Sequence, residues 1–196
     1  MSSTFLSDLE TKNGDAVDGS QALKNKVVAL YFSSSETDEL TLFHFYENSI
    51  ITSFLVFHSD ELACYSWCPA CKVFTPLLSV LHEDAQEEEG LDFEVVYVSS
   101  DNSAEECDQY MKEKHGDWLR VPFDKTASYK TQFGVFAGKE QSLFSSTKRR
   151  SGIPTLVIVD AEGKELDILD CDDAGVIKEI ESKTTGFLKR WESMKW

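Results

Sequence analysis

The chain has 196 residues, with 19 Lys and Arg against 35 Asp and Glu, a formal net charge of −16 at pH 7. Hydrophobic residues make up 41%, enough for a real core, which excludes a disordered chain; the length fits one large domain or two very small ones. The acidic balance excludes nucleic acid and anionic lipid as partners held by bulk charge, and five cysteines, an odd count, are too sparse for a secreted disulfide scaffold.

The first 25 residues carry Asp8, Glu10, Asp15 and Asp18 and no long apolar run. No signal peptide is expected there, and the expected compartment is the reducing cytosol or nucleus. Residues 9–12 and 15–17 flank Asn13-Gly14, the strongest short hairpin signal, and predict an N-terminal strand pair. Residues 26–33 (KVVALYFS) form a continuous apolar run, as expected of a strand buried on both faces. Residues 40–57 are the most apolar stretch and about one bilayer thick if helical. His44, Glu47, Asn48 and Ser49 sit at its centre, where polar groups cost most, so a buried hairpin is expected and no membrane span.

Residues 68–87 predict a helix with Phe74, Leu77, Leu78 and Leu81 on one face and a kink at Pro76. Residues 93–99 (FEVVYVS) predict a second buried strand. Residues 103–114 predict a helix opened by a capping box, Ser103-x-x-Glu106. A third strand is expected at 155–160, a turn at Glu162-Gly163 and a fourth strand at 166–169. A last helix is expected over 173–191, with Val176, Ile177, Ile180, Phe187, Leu188 and Trp191 as its apolar stripe. Strands alternating with helices imply an α/β sheet covered on both faces.

The informative segment is Trp67-Cys68-Pro69-Ala70-Cys71-Lys72. A Cys-x-x-Cys at the start of a helix places two thiols on one turn, close enough to form a disulfide. Cys68 at the helix N-terminus faces free N–H groups and the positive end of the dipole, which lower a thiol's pKa. Lys72 adds positive charge, and Pro69 suits the first turn, where its missing N–H costs nothing. Cys71 lies one turn deeper. In such a pair Cys68 attacks a disulfide and Cys71 resolves the mixed disulfide. Other readings share the spacing. Half of a zinc site lacks its second half, since Cys107 and Cys171 stand alone without a nearby His. With Cys64 the segment spells Cys-x3-Cys-x2-Cys, a spacing that holds iron–sulfur clusters, but Ala70 stands where those proteins usually place an aromatic. A structural pair without activity is the third. No metal and no cofactor is expected.

The segments VVALYFS, WCPACKVFTPLL, FEVVYVSSD, GDWLRVPF, FGV and GIPTLVIVD, in that order, cover most of residues 22–161. Together they resemble the nucleoredoxin and tryparedoxin group of thioredoxin-fold proteins. The resemblance implies a central mixed sheet flanked by helices and a protein-disulfide oxidoreductase with Cys68 as nucleophile and Cys71 as resolving thiol. It implies that Trp67 is an exposed substrate-contacting aromatic. It also implies that Ile153-Pro154 carries a cis peptide bond that faces the disulfide and lines the substrate groove. Pro69, Ala70 and Lys72 would tune the pair. The implied partners are protein or small-molecule disulfides, an upstream dithiol donor and a signalling protein.

The sequence departs from the group at defined places. Ala70 replaces the second proline of the usual WCPPC, which leaves the helix start less rigid. Tyr31 occupies the place of the buried acid that thioredoxins use as a proton relay. Cys107 falls on the apolar side of a helix and is expected in the core. Cys171 lies in the acidic stretch 170–173, whose charge opposes a thiolate, and is read as incidental. Residues 35–65 and 136–150 interrupt the pattern on either side of the expected site. They read as insertions into a single thioredoxin-like domain spanning 1–196, the first apolar, the second polar and basic. Residues 53–58 (SFLVFH) could compete for the central strand position. The chain is therefore expected to be a disulfide reductase, with a catalytically impaired docking module as the alternative.

Overall fold

A computed structural model describes residues 5–35, 68–87, 90–182 and 186–194, without the side chain of Phe187. The hairpin expected within 40–57, the competing strand at 53–58, Cys64 and Trp67 lie outside these residues.

Seven strands form one mixed sheet. Its centre is β3 (Val27–Ser33), parallel to β4 (Phe93–Ser99) on one side and antiparallel to β6 (Thr155–Val159) on the other. Residues 27–33 thus hold the central position. Every residue of β3 and β4 is buried, as their unbroken apolar runs predict. β7 (Glu165–Asp170) extends the sheet beyond β6, antiparallel to it. On the far side β5 (Leu119–Arg120) pairs with β4, and β1 (Asp8–Glu10) and β2 (Ala16–Asp18) close that end as the expected hairpin. Gly14 turns the hairpin at φ 87°, a left-handed conformation that glycine adopts without steric cost. Arg120 ties the hairpin down through Glu10 (2.8 Å) and also pairs with Asp108.

The strict alternation of side chains gives the sheet two cores. On one face Val27, Ala29 and Tyr31 of β3 meet Phe93, Val95 and Tyr97 of β4. The helix α2 (Pro69–Glu87) covers this face with Phe74, Leu78 and Leu81, as its periodicity predicts, and runs through Pro76. α3 (Ala104–Lys114) adds Cys107, Tyr110 and Met111. On the other face Val28, Leu30 and Phe32 meet Val96, Val98, Val157 and Val159. Phe133 of α4 (Thr126–Phe133) seals it, and the short α1 (Gly19–Ala22) follows the hairpin. Each large side chain fully buried in this way contributes about 1.5–3 kcal/mol.

Four expectations need correction. The last helix is two: α5 (Ala174–Glu181), capped by Asp173, and α6 (Gly186–Trp191). They are joined where the Glu179 carboxylate accepts the Gly186 N–H at 2.7 Å. The capping box at Ser103 is half realised. Its hydroxyl accepts the Glu106 N–H, but the Glu106 carboxylate turns to the Asn102 N–H instead. α4 and β5 were not expected as elements. Finally, residues 136–150, expected as a polar and basic insertion, also bury side chains. Phe136 is fully buried and packs at a tilt against Phe144, ring centroids 4.8 Å apart, and Glu140 is buried against Lys130 of α4 at 2.5 Å. A bridge between Val135 and Ser151 closes the base of the segment.

Candidate redox site

Cys68 sits at the N-cap of α2. Its carbonyl accepts the Lys72 N–H, and its sulfur accepts the Cys71 N–H at 3.2 Å, where an N-cap oxygen would normally act. No acidic residue lies in the first turn of α2, so nothing there offsets the positive helix end. Pro69 is exposed in the first helical position, Ala70 is half-buried and Lys72 is exposed.

Cys68 and Cys71 form a disulfide with Cα atoms 5.2 Å apart. The pair is asymmetric: Cys68 is 8% exposed and Cys71 fully buried. Across from it, the Ile153–Pro154 peptide bond is cis, as the resemblance implies. The Ile153 carbonyl oxygen lies 3.6 Å from the Cys68 sulfur. The Pro154 carbonyl accepts the Cys171 N–H at 3.2 Å, which anchors the loop to the end of β7. The structure therefore brings Cys68, Cys71 and Ile153-Pro154 together from α2 and the start of β6. Trp67 lies outside the described residues.

A buried polar array extends from this site. The Tyr31 hydroxyl meets the Thr75 hydroxyl at 2.8 Å, which meets the Tyr110 hydroxyl at 2.8 Å. Thr75 stands one turn after Cys71 on α2. Burial pushes the Tyr31 phenol well above its ordinary range, so Tyr31 stays neutral where thioredoxins carry an acid. His115 packs among Tyr31, Tyr97, Tyr110 and Trp118. Its Nδ1 accepts the Trp118 indole N–H at 3.0 Å, and burial lowers its pKa to about 3.

Sequence reasoning passed over Asp101. This buried carboxylate accepts from Ser34 Oγ (3.1 Å), the Ser35 N–H (2.5 Å), Tyr97 OH (2.7 Å) and Ser99 Oγ (2.6 Å). It fastens the chain where it leaves β3. The signal was present in the VSSD string. Cys107 is a core residue as expected, its thiol pushed up to about 11 by burial. Cys171, read as incidental to the chemistry, is fully buried in the α2-side core. Burial, more than the charge of Asp170, pushes its thiol up.

A Cys-x-x-Cys disulfide capping a helix, set against a cis-proline loop at the end of a mixed sheet, defines a thioredoxin-fold dithiol protein. A family model described as Thioredoxin-like matches residues 51–165. Nucleoredoxin of Danio rerio is 32% identical over 116 residues, 56% of this chain and 24% of that protein. Tryparedoxin of Trypanosoma brucei brucei is 31% identical over 97 residues, 50% of this chain and 56% of that protein. The crystal structure of thioredoxin from Wuchereria bancrofti is 29% identical with a TM-score of 0.56, covering 94% of this chain and 97% of that one. The chain belongs to the thioredoxin-like oxidoreductase family, and within it is nucleoredoxin- and tryparedoxin-like. It spans about a quarter of the length of the nucleoredoxin it matches.

Proposed function

We propose that this chain is a thiol–disulfide oxidoreductase that reduces protein disulfides. The observation that carries the reading is the Cys68–Cys71 disulfide, with the Cys71 N–H aimed at the Cys68 sulfur. In the reduced protein that N–H and the helix end stabilise a Cys68 thiolate. The thiolate attacks one sulfur of a substrate disulfide; a Cys68–substrate bond forms and the other substrate sulfur leaves as a thiolate. Cys71 then attacks the Cys68 sulfur, the 68–71 bond forms, and the second substrate thiol is released. Two electrons pass to the substrate, and an upstream dithiol returns them. Ile153 and Pro154 line the substrate groove, Trp67 is assigned substrate contact by the family resemblance, and Pro69, Ala70 and Lys72 tune the pair. The cytosol or nucleus is the compartment that suits this chemistry. No helix among the described residues is long and apolar enough to cross a membrane.

The test is insulin reduction driven by dithiothreitol. Cys68→Ser should abolish the catalysed rate. Cys71→Ser should accumulate a mixed disulfide visible on a non-reducing gel. Equal turnover by wild type and Cys68→Ser would remove the reading. The second reading is a docking module for a signalling partner built on the inserted segments, in which Leu143 is 77% exposed. That reading stands if the Cys68→Ser protein still captures a partner that Leu143→Ser loses.

A further inference from the structure

We propose that Arg149 is a specificity-determining residue: its guanidinium, fixed beside the cis-proline loop, binds a carboxylate next to the half-cystine of a peptide disulfide. This rests on the dithiol reading above.

Placement comes first. Arg149 Nε donates to the Phe136 carbonyl at 2.9 Å. A Cβ added to Gly152 would lie 2.6 Å from Arg149 Nη2. The guanidinium therefore rests on Gly152. The next residue is Ile153, whose carbonyl stands 3.6 Å from the Cys68 sulfur. A cation is thus held one residue from the loop that faces the dithiol.

The holder is rigid. Phe136, whose carbonyl orients Arg149, is fully buried, with its ring packed at a tilt against Phe144. The Arg150 N–H donates to the Gly134 carbonyl at 2.7 Å, closing the segment just beyond Arg149. Gly134 itself caps α4 at φ 65°.

Two neighbouring cations, Arg150 and Lys130, are engaged elsewhere. Arg150 makes a two-pronged pair with Glu165, at 2.7 and 3.0 Å. Lys130 is buried on Glu140. Arg149 is exposed and, among the described residues, has no carboxylate partner. It uses Nε on a main-chain oxygen and keeps its Nη N–H groups for a planar acceptor. Guanidinium geometry matches a carboxylate there. In a chain of net charge −16 such a cation also relieves the repulsion that an acidic peptide would otherwise meet.

The test uses two cystine peptides that differ only by Glu or Gln beside the half-cystine. Pre-reduced protein is mixed with each, quenched in acid, and reduction is followed by chromatography. At low salt the wild type should reduce the Glu peptide roughly two- to fivefold faster, the range of an exposed ion pair, and added salt should erode the ratio. Arg149→Gln should bring the ratio to about one, and Arg149→Lys should keep part of it. An unchanged ratio in Arg149→Gln, or an equal slowing of both peptides, would overturn the proposal. A wild type that reduces both peptides at equal rates also defeats it while leaving the dithiol reading intact. Undiminished reduction of both peptides by Cys68→Ser would instead defeat the dithiol reading.

Discussion

His115 is the side chain whose burial has the clearest consequence in solution. Its pKa is about 3 in the folded chain against an ordinary value near 6.5, because the charged ring would be desolvated among aromatics. Below pH 6.5 the unfolded chain takes up a proton that the folded chain refuses. Stability is therefore full above pH 6.5 and lost as pH falls toward 3. The slope is about 1.4 kcal/mol per pH unit, or about 2 kcal/mol by pH 5. His82, also pushed down by burial, adds in the same direction. Urea unfolding should show this drop between pH 7 and pH 5, and His115→Gln should flatten it. A wild-type unfolding free energy equal at the two pH values would contradict the assignment. Individual residues were unevenly legible. The two cysteines announce themselves by spacing, and Pro154 through the family resemblance. His115, Thr75 and Asp101 do not, since each acquires its role from partners on other strands and helices. Asp101 meets Ser34 and Ser35 from 66 or 67 positions away.

The same rule governs whole elements. β3, β4, β6 and α2 could be read because their signal is local: a buried apolar run or a helical stripe. α4 could not. Its sequence, TASYKTQF, carries little periodicity, and its buried residues are Thr126, Lys130 and Phe133. Lys130 goes inside only because Glu140 comes in with it, ten residues on and through a 3-10 turn (Gly138–Glu140). Glu140 also accepts the Ala137 N–H at 2.9 Å, so one carboxylate ties α4 to residues 136–150. Lys130→Met should strand that carboxylate and destabilise the fold by about 3–5 kcal/mol. Adding Glu140→Leu should recover part of the loss, short of all of it because the Ala137 N–H is left bare. Denaturant midpoints of the single and double variants measure both, and a double variant no better than the single would contradict the pairing.

Across the molecule, stability is graded along the sheet. The fully buried strands β3, β4 and β6 should exchange amide hydrogens most slowly, at rates set by global unfolding. The hairpin β1–β2, three residues a strand and half exposed, should open far earlier, as should α6. Mass-spectrometric exchange resolves the two, and equal protection in β2 and β3 would rule the gradient out. This architecture was the most legible level of all. An alternation of strands and helices prescribes a two-faced sheet whatever the details of its connections. The residual errors are a last helix that stops at Glu181 and a segment, 136–150, drawn into the core by Lys130 of α4.

The loop beside the dithiol is held largely by main-chain atoms. The Ile153 carbonyl lies against the Cys68 sulfur, the Pro154 carbonyl accepts the Cys171 N–H, and the Phe136 carbonyl accepts from Arg149 Nε. A peptide oxygen is present whatever side chain it belongs to. The carbonyl contacts themselves leave no trace in paired substitutions, because every residue type supplies the same oxygen. Constraint on residue type at this site thus falls on the two cysteines, the proline, Arg149 and Gly152, where an added Cβ would lie 2.6 Å from the Arg149 guanidinium.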